Sequence, residues 1–336
     1  MTAFRGAHGP LLIAEIGGNH EGDFDVAIRL ADLAVEAGAD AVKFQVYYGD
    51  SLVSASESPD RNAHFKKFEL TRDQHVALAE RVIGAGRAYV ASVWDLEAFA
   101  WIDPVISAYK IGSGDLTAPP FLRAVAATGK PLILSTGLSD SAEVASAVDC
   151  VRSVRPVYRD PSMLAVLQCT SMYPIAPAEA NLAVMQTYSA LGVTTGYSDH
   201  TIGNRALEVA AAMGAEVLEF HFTDRKEGRS FRDHQLSLDR RDLRDLVRSL
   251  QEIRELRGDP EKRVTRSEID SEHVRTFRRA VYPARDIERG EVLDESNLCV
   301  LRPNHGIDAR EYGGLLGRRA RRRLIRHEAF DWQDIE

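Results

Sequence analysis

Residues 11–38 read "LLIAEIGGNHEGDFDVAIRLADLAVEAG". Five of the first six are apolar, a β-rich run broken only by Glu15, and Val26, Leu30, Leu33 and Ala34 then recur on one helical face until Gly38 stops the pattern. This is a strand followed by an amphipathic helix. A doubly wound dinucleotide-binding sheet would place GxGxxG at the junction, and "EIGGNHEGD" does not supply it. The alternation then repeats. "DAVKFQV" (40–46), "AYVASV" (88–93), "SAYKIG" (107–112), "PLILST" (131–136), "LAVLQCT" (164–170), "VTTGYS" (193–198) and "EVLEFHF" (216–222) are further strands. Helical patterns lie between them, among them 139–154, with Ser139 or Asp140 as N-cap, and 240–258 after the last strand. Eight βα units in roughly 250 residues match the count and length of a (β/α)8 TIM barrel.

Texture changes after Gly258. The polar stretch 259–276 is expected to be a linker, and 277–336, with short apolar pieces and frequent turns, a small, mostly β domain; the barrel takes 1–258. Net charge over the 336 residues is −8, which disfavours a nucleic-acid partner. The one basic run, "GRRARRRLIRH" (317–327), is then a solvated or interfacial face. The three cysteines, Cys150, Cys169 and Cys299, are far apart and form no CxxC, so neither a disulfide framework nor a thiolate zinc site is expected. No apolar run reaches the roughly 18 residues of a membrane span, and the N-terminus lacks a signal-peptide core. A reducing cytoplasm fits.

Barrels carry chemistry at the C-terminal ends of their strands, so polar residues interrupting those ends are the candidates. Glu15, Asn19 and His20 follow strand one, and Lys43 and Gln45 share one face of strand two. Ser92, Trp94 and Asp95 end strand three, and Lys110, Ser113 and Asp115 strand four. Strand five ends in Ser135 and Thr136, strand six in Gln168, Thr170, Ser171 and Tyr173, and strand seven in Ser198, Asp199 and His200. Glu219 and His221 face together on strand eight, with Asp233 and His234 beyond. Lysines on central strands have no edge to escape to, so Lys43 and Lys110 call for an anion, and the serines make phosphate a sensible one. His200 and His221 end adjacent strands and, with Glu15 or Glu219 near, suit manganese, iron, cobalt or zinc.

The runs "IAEIGGNHEGD", "AGADAVKFQ", "AYKIGSGDL", "GKPLILSTG", "CTSMYP", "GYSDHT", "HFTDR" and "RPNHGI" together resemble the sialic acid synthase family, which includes the N-acetylneuraminate, legionaminate and pseudaminate synthases. The last segment resembles the antifreeze-like SAF domain. The resemblance implies a transferase that condenses phosphoenolpyruvate with an N-acetylated amino sugar such as N-acetylmannosamine. By motif, Lys43, Ser92, Lys110, Ser113 and Ser198 would hold phosphoenolpyruvate, and His200 and His221 a divalent metal, manganese with magnesium or cobalt as alternatives. Gln45, Asn62, Trp94, Tyr173 and Asp233 would serve the sugar, and Glu15 or Glu219 the water. Arg302 matches the arginine that the SAF domain lends to the partner barrel, which implies a domain-swapped homodimer. Trp94 is bulkier than the usual aromatic, Gln168 stands for the usual histidine, "FRDH" (231–234) lacks the familiar glycine and proline, and loop 50–67 looks short. These changes are expected to cluster around the sugar. Phe220 replaces the usual lysine on the face away from the mouth. A Schiff-base aldolase using Lys110 and a non-catalytic sugar-binding module are the rival readings.

Overall fold

A computed structural model of the chain describes residues 4–336. Strands β1 (Gly9–Glu15), β2 (Ala41–Val46), β3 (Ala88–Val93), β4 (Ala108–Ile111), β5 (Leu132–Ser135), β6 (Leu164–Cys169), β7 (Thr194–Asp199) and β8 (Val217–His221) pair in chain order, all parallel. The sheet closes because β8 also pairs with β1, from Leu11↔Val217 to Glu15↔His221. An N-terminal ribbon that the sequence reading missed, Arg5–Gly6, pairs antiparallel with the start of β1.

Side-chain alternation sorts each strand into two cores. Leu12, Ala14, Val42, Phe44, Leu218 and Phe220 point outward into the layer beneath the helices. Leu11, Ile13, Ala41, Val90, Leu167 and Val217 point inward and fill the barrel. The inward series turns polar toward the C-terminal ends, where Glu15, Lys43, Ser92, Lys110, Ser198 and Glu219 follow the apolar positions. Gly196 takes one inward place on β7. A Cβ there would sit 2.3 Å from the Val217 carbonyl oxygen and 2.6 Å from Leu167 Cδ2, so the neighbours already occupy the space.

The outer helices start and stop on local chemistry. Asp23 caps Phe24–Ala37 through Val26 N, and Gly38 ends it at φ 112°. Asp140, not Ser139, caps Ser141–Val154, in a reciprocal box with Glu143. The stretch expected to be a short loop at 50–67 instead carries two helices, Gly49–Leu52 and Pro59–Lys67. No helix among the described residues is long and apolar enough to cross a membrane.

The chain divides after Gly258 into two units. The second holds an antiparallel pair, β9 (Ala280–Pro283) and β10 (Leu298–Leu301), over a core that includes Val281, Leu293, Leu324 and Phe330. The expected linker contains two short helices, Arg266–Asp270 and His273–Thr276. Two arginines of the basic run are paired within the unit: Arg322 meets Asp334 and Glu328, each at 2.6 Å, and Arg323 meets Asp286 at 2.8 Å.

Overpacking a filled core typically costs about 1–3 kcal/mol. Gly196→Ala should therefore lower unfolding stability by about that much in urea. An unchanged midpoint would contradict the close-packed interior.

Candidate active site

Strand register gathers four buried charges in one layer. Glu15 lies opposite Lys43, Ser92 opposite Lys110, and Ser198 opposite Glu219. Lys43 Nζ is 2.6 Å from Glu15 Oε2 and 3.3 Å from Glu219 Oε1, and Lys110 Nζ is 3.1 Å from Glu219 Oε2. Gln45 Nε2 donates to Glu15 Oε1 at 2.8 Å, and Lys43 Nζ donates to Ser92 Oγ at 3.5 Å. No one of the four charged residues is more than 5% exposed. Two cations and two anions cancel, which is what permits their burial. Burial pulls Lys43 down, but Glu15 and Glu219 outweigh it and leave its pKa raised. Burial likewise pushes Glu219 up, yet Lys110 and then Lys43 hold it below the usual carboxylate range. Both oxygens Glu15 Oε2 and Glu219 Oε2 touch an ammonium without accepting a well-aligned hydrogen bond, so acceptor capacity is left over.

Above this layer opens a cavity of about 1020 Å³. One side is a hydroxyl-lined floor with Ser113, Ser135 and Ser198, and with Cys169 among them. Gly137 N donates to Ser113 Oγ at 3.0 Å, and a Cβ on Gly137 would stand 2.7 Å from that oxygen, so the hydroxyl is pinned against bare backbone. The opposite side is aromatic. Trp94 lies 5.5 Å from Tyr47, Tyr47 5.4 Å from Phe65, His64 4.5 Å from Phe68, and Phe68 5.1 Å from Phe231, all between ring centroids.

Two imidazoles stand between floor and wall, their centroids 5.4 Å apart. His200 Nδ1 lies 2.7 Å from the Thr170 carbonyl oxygen, which can only accept. The ring proton is therefore on Nδ1 and Nε2 keeps its lone pair. His221 Nδ1 is buried without a hydrogen-bond partner, 3.8 Å from Asp233 Oδ2. Burial lowers both pKa values, against the Thr170 bond at His200 and Asp233 at His221, so both rings are neutral at pH 7. Two neutral imidazoles, one with a nitrogen that has no partner and one oriented by the Thr170 carbonyl so that Nε2 is free, fit a divalent metal. Among the described residues no three His, Cys, Asp or Glu side chains are grouped as a metal site. Tyr173 packs on His200 at 4.1 Å, and the Arg232 guanidinium sits 4.7 Å over Tyr173.

Of the residues singled out in the sequence, Glu15, Lys43, Gln45, Ser92, Trp94, Lys110, Ser113, Asp115, Ser135, Ser171, Tyr173, Ser198, His200, Glu219, His221 and Asp233 line this cavity. Others do not. Asn62 is turned into its own loop, where Nδ2 donates to the Gly49 and Val53 carbonyls and to Asp50. Gln168 points outward from the barrel to Ala180 and Tyr188, so its replacement of a histidine leaves the cavity lining untouched. Asp199 binds Thr201 N and Tyr197 Oη. Arg302 belongs to the second unit, where Nε donates to the Phe277 carbonyl and the guanidinium lies 5.5 Å over that ring. Sequence reasoning missed Arg61, His64, Phe65 and Phe68, which line the cavity from one helix face. Their i, i+3, i+4, i+7 spacing was the available signal.

Removing one partner from a buried ionic network leaves an uncompensated charge and costs about 3–5 kcal/mol. Glu219→Gln should destabilise the barrel by roughly that amount in chemical denaturation, and added inorganic phosphate should recover part of it. A loss below about 1 kcal/mol would mean that the lysines are solvated.

Comparison with known proteins agrees with the fold and places the chain. The NeuB family model matches residues 30–262, and the SAF domain model matches 278–336. The chain is 33% identical over 341 residues to N,N'-diacetyllegionaminic acid synthase of Legionella pneumophila, covering 97% of this chain and 94% of that protein. It is 33% identical over 278 residues to N-acetylneuraminate-9-phosphate synthase of Mus musculus, covering 79% and 76%. The crystal structure of N-acetylneuraminic acid (sialic acid) synthetase from Leptospira borgpetersenii superposes with a TM-score of 0.72 at 29% identity, over 79% of this chain and 90% of that one. This chain belongs to the NeuB family of sialic acid synthase enzymes and ends in a SAF domain.

Proposed function

We propose that this cavity joins phosphoenolpyruvate to an acetamido sugar aldehyde, giving a nonulosonic acid and phosphate. The observation that carries this reading is the pair of buried lysines, each already engaged by a carboxylate, beside three serines on one floor. Such a floor suits a compact, highly charged anion, and the aromatic wall opposite suits the C–H faces and N-acetyl methyls of a sugar. The relatives named above are synthases of this kind of acid.

The residues then divide the work. Lys43 and Lys110 take the phosphate and carboxylate oxygens, with Ser92, Ser113 and Ser198 as hydroxyl donors. His200 and His221 hold the divalent metal, manganese by proposal with magnesium or cobalt as alternatives, which when bound supplies Lewis-acid polarisation of the aldehyde oxygen. The enol-ether carbon C3 of phosphoenolpyruvate forms the new bond to the aldehyde carbon, and the aldehyde oxygen takes up a proton. Positive charge develops at C2 close to Glu219 and Glu15, whose anionic oxygens stabilise it and orient the water that adds there. The resulting tetrahedral centre expels phosphate by breaking its C–O bond as its new hydroxyl becomes the keto group; of the two protons that the water brought, one ends on the former aldehyde oxygen and one on phosphate, and the lysines receive the departing charge. Gln45, Trp94, Tyr173 and Asp233 orient the sugar. Arg302 acts on the cavity of a second copy in a domain-swapped homodimer. A cytoplasmic location fits three unpaired cysteines.

A Schiff-base aldolase is disfavoured on one distance. Lys110 Nζ lies 3.1 Å from Glu219 Oε2, the partner of an ammonium, whereas an imine-forming lysine must present a neutral amine.

Purified protein with manganese should release phosphate from phosphoenolpyruvate only when an acetamido sugar from a panel of N-acetylhexosamines and 2,4-diacetamido sugars is added. Lys110→Met should reduce that rate on the order of 10²-fold or more. Sedimentation should report two chains. Phosphate release without sugar, or a borohydride-trapped pyruvate adduct on Lys110, would overturn the reading.

A further inference from the structure

Phe231, Arg232 and Asp233 reach the cavity from a segment between Phe222 and Leu238 that crosses β8's end. In the structure this segment is seated on the "GGNHEG" loop that follows β1. Gly18 leaves the room, since a Cβ there would lie 2.9 Å from Phe231 Cε1. Asn19 Nδ2 donates to the Phe222 carbonyl and to Ser237 Oγ, both at 2.9 Å, and Ser237 Oγ in turn donates to the Asp233 carbonyl at 2.7 Å. Glu21 supplies the third tie. Its Oε1 lies 3.2 Å from His234 Nε2, and His234 Nδ1 lies 2.7 Å from Thr223 Oγ1.

The hydrogen-bond directions are set by inventory. A carboxylate can only accept, so Nε2 carries a proton toward Glu21, and the Thr223 hydroxyl lies between Nδ1 at 2.7 Å and the Arg225 carbonyl oxygen at 3.0 Å. His234 is fully buried, yet neither nitrogen reaches the cavity, so its chemistry is spent on joining two loops. Glu21 also has a left-handed backbone, φ 51°, unfavourable for a glutamate unless contacts hold it there. Arg229 adds a charge contact to the same carboxylate at 3.7 Å while pairing with Asp224 at 2.9 Å.

We infer that Glu21 and His234 form a clasp between the β1 and β8 loops that positions Phe231–Asp233 for the sugar. They are positioning residues: they touch neither substrate, and they act on the acceptor side only, because no tie of the clasp reaches Lys43, Lys110 or the serine floor. This rests on the proposed reaction for its functional consequence, but the tie itself stands apart from it. A misplacement of about 1 Å at a reacting group can cost 10²-fold, so loosening this segment has a measurable effect.

Glu21 is part-exposed, so Glu21→Ala should fold. Two measurements on full-length protein test the clasp. Amide hydrogen exchange across 224–237 should accelerate about tenfold or more in Glu21→Ala, with β2–β6 unchanged. Steady-state kinetics should show the sugar KM raised about 10- to 100-fold and the phosphoenolpyruvate KM within twofold of wild type. Glu21→Gln keeps an accepting oxygen and should restore both. Unchanged exchange across 224–237, or a parallel rise in both KM values, overturns the inference. Should wild-type protein release no phosphate with any acetamido sugar, the proposed reaction fails, and the exchange result alone decides the clasp.

Discussion

Everything at this barrel mouth depends on the ionic chain Glu15–Lys43–Glu219–Lys110. Each of these groups gives up several kcal/mol of hydration when it is taken out of water. A closed eight-stranded sheet has no edge through which a lysine stem could reach solvent. The cost is offset only if the charges alternate and lie within contact, and parallel register achieves this by setting Glu15 beside Lys43 and Glu219 one strand away on the other side. Replacing the four by leucines would make an ordinary barrel interior. Keeping them holds two ammonium groups, pre-oriented and dry, where an incoming anion can exchange with the carboxylates.

Other features of the mouth follow from that placement. Because the polar layer is central, the serine floor can approach it only where backbone is bare, as at Gly137 against Ser113. Part of the aromatic wall rests on the Pro59–Lys67 helix and on the segment seated on the β1 loop, while Tyr47 and Trp94 directly follow the strands that carry Lys43 and Ser92. The second unit has its own core and pairs Arg322 and Arg323 of its basic run with its own carboxylates.

The parts legible in the sequence were those governed by periodicity. Alternation along "VKFQV" put Lys43 and Gln45 on one face, and along "LEFHF" it put Glu219 and His221 on one face with Phe220 on the other; the structure keeps both arrangements. The same rule, applied to Gln168, would have turned it outward, since Leu167 and Cys169 are the inward residues of β6. Asn62 misled because a motif match says nothing of whether an amide faces a ligand or its own loop carbonyls. His20 and Asn19 looked like mouth residues from their place after a strand. His20 instead accepts from Gly22 N, with burial pushing its pKa down to about 4, and Asn19 ties loops. Long-range pairs such as Glu21 with His234, 213 residues apart, leave no local pattern to read.

The central claim is that the lysine pair receives phosphate as a leaving group from carbon, not through an imine and not by attack at phosphorus. Phosphoenolpyruvate carrying oxygen-18 in its bridging C–O–P position tests this directly, with the products separated and weighed by mass spectrometry. All of the label is expected to leave in inorganic phosphate, while the new keto oxygen comes from water. Label retained at the keto carbon of the sugar acid would show that the P–O bond breaks, and would contradict the role assigned to Lys43, Lys110, Glu15 and Glu219.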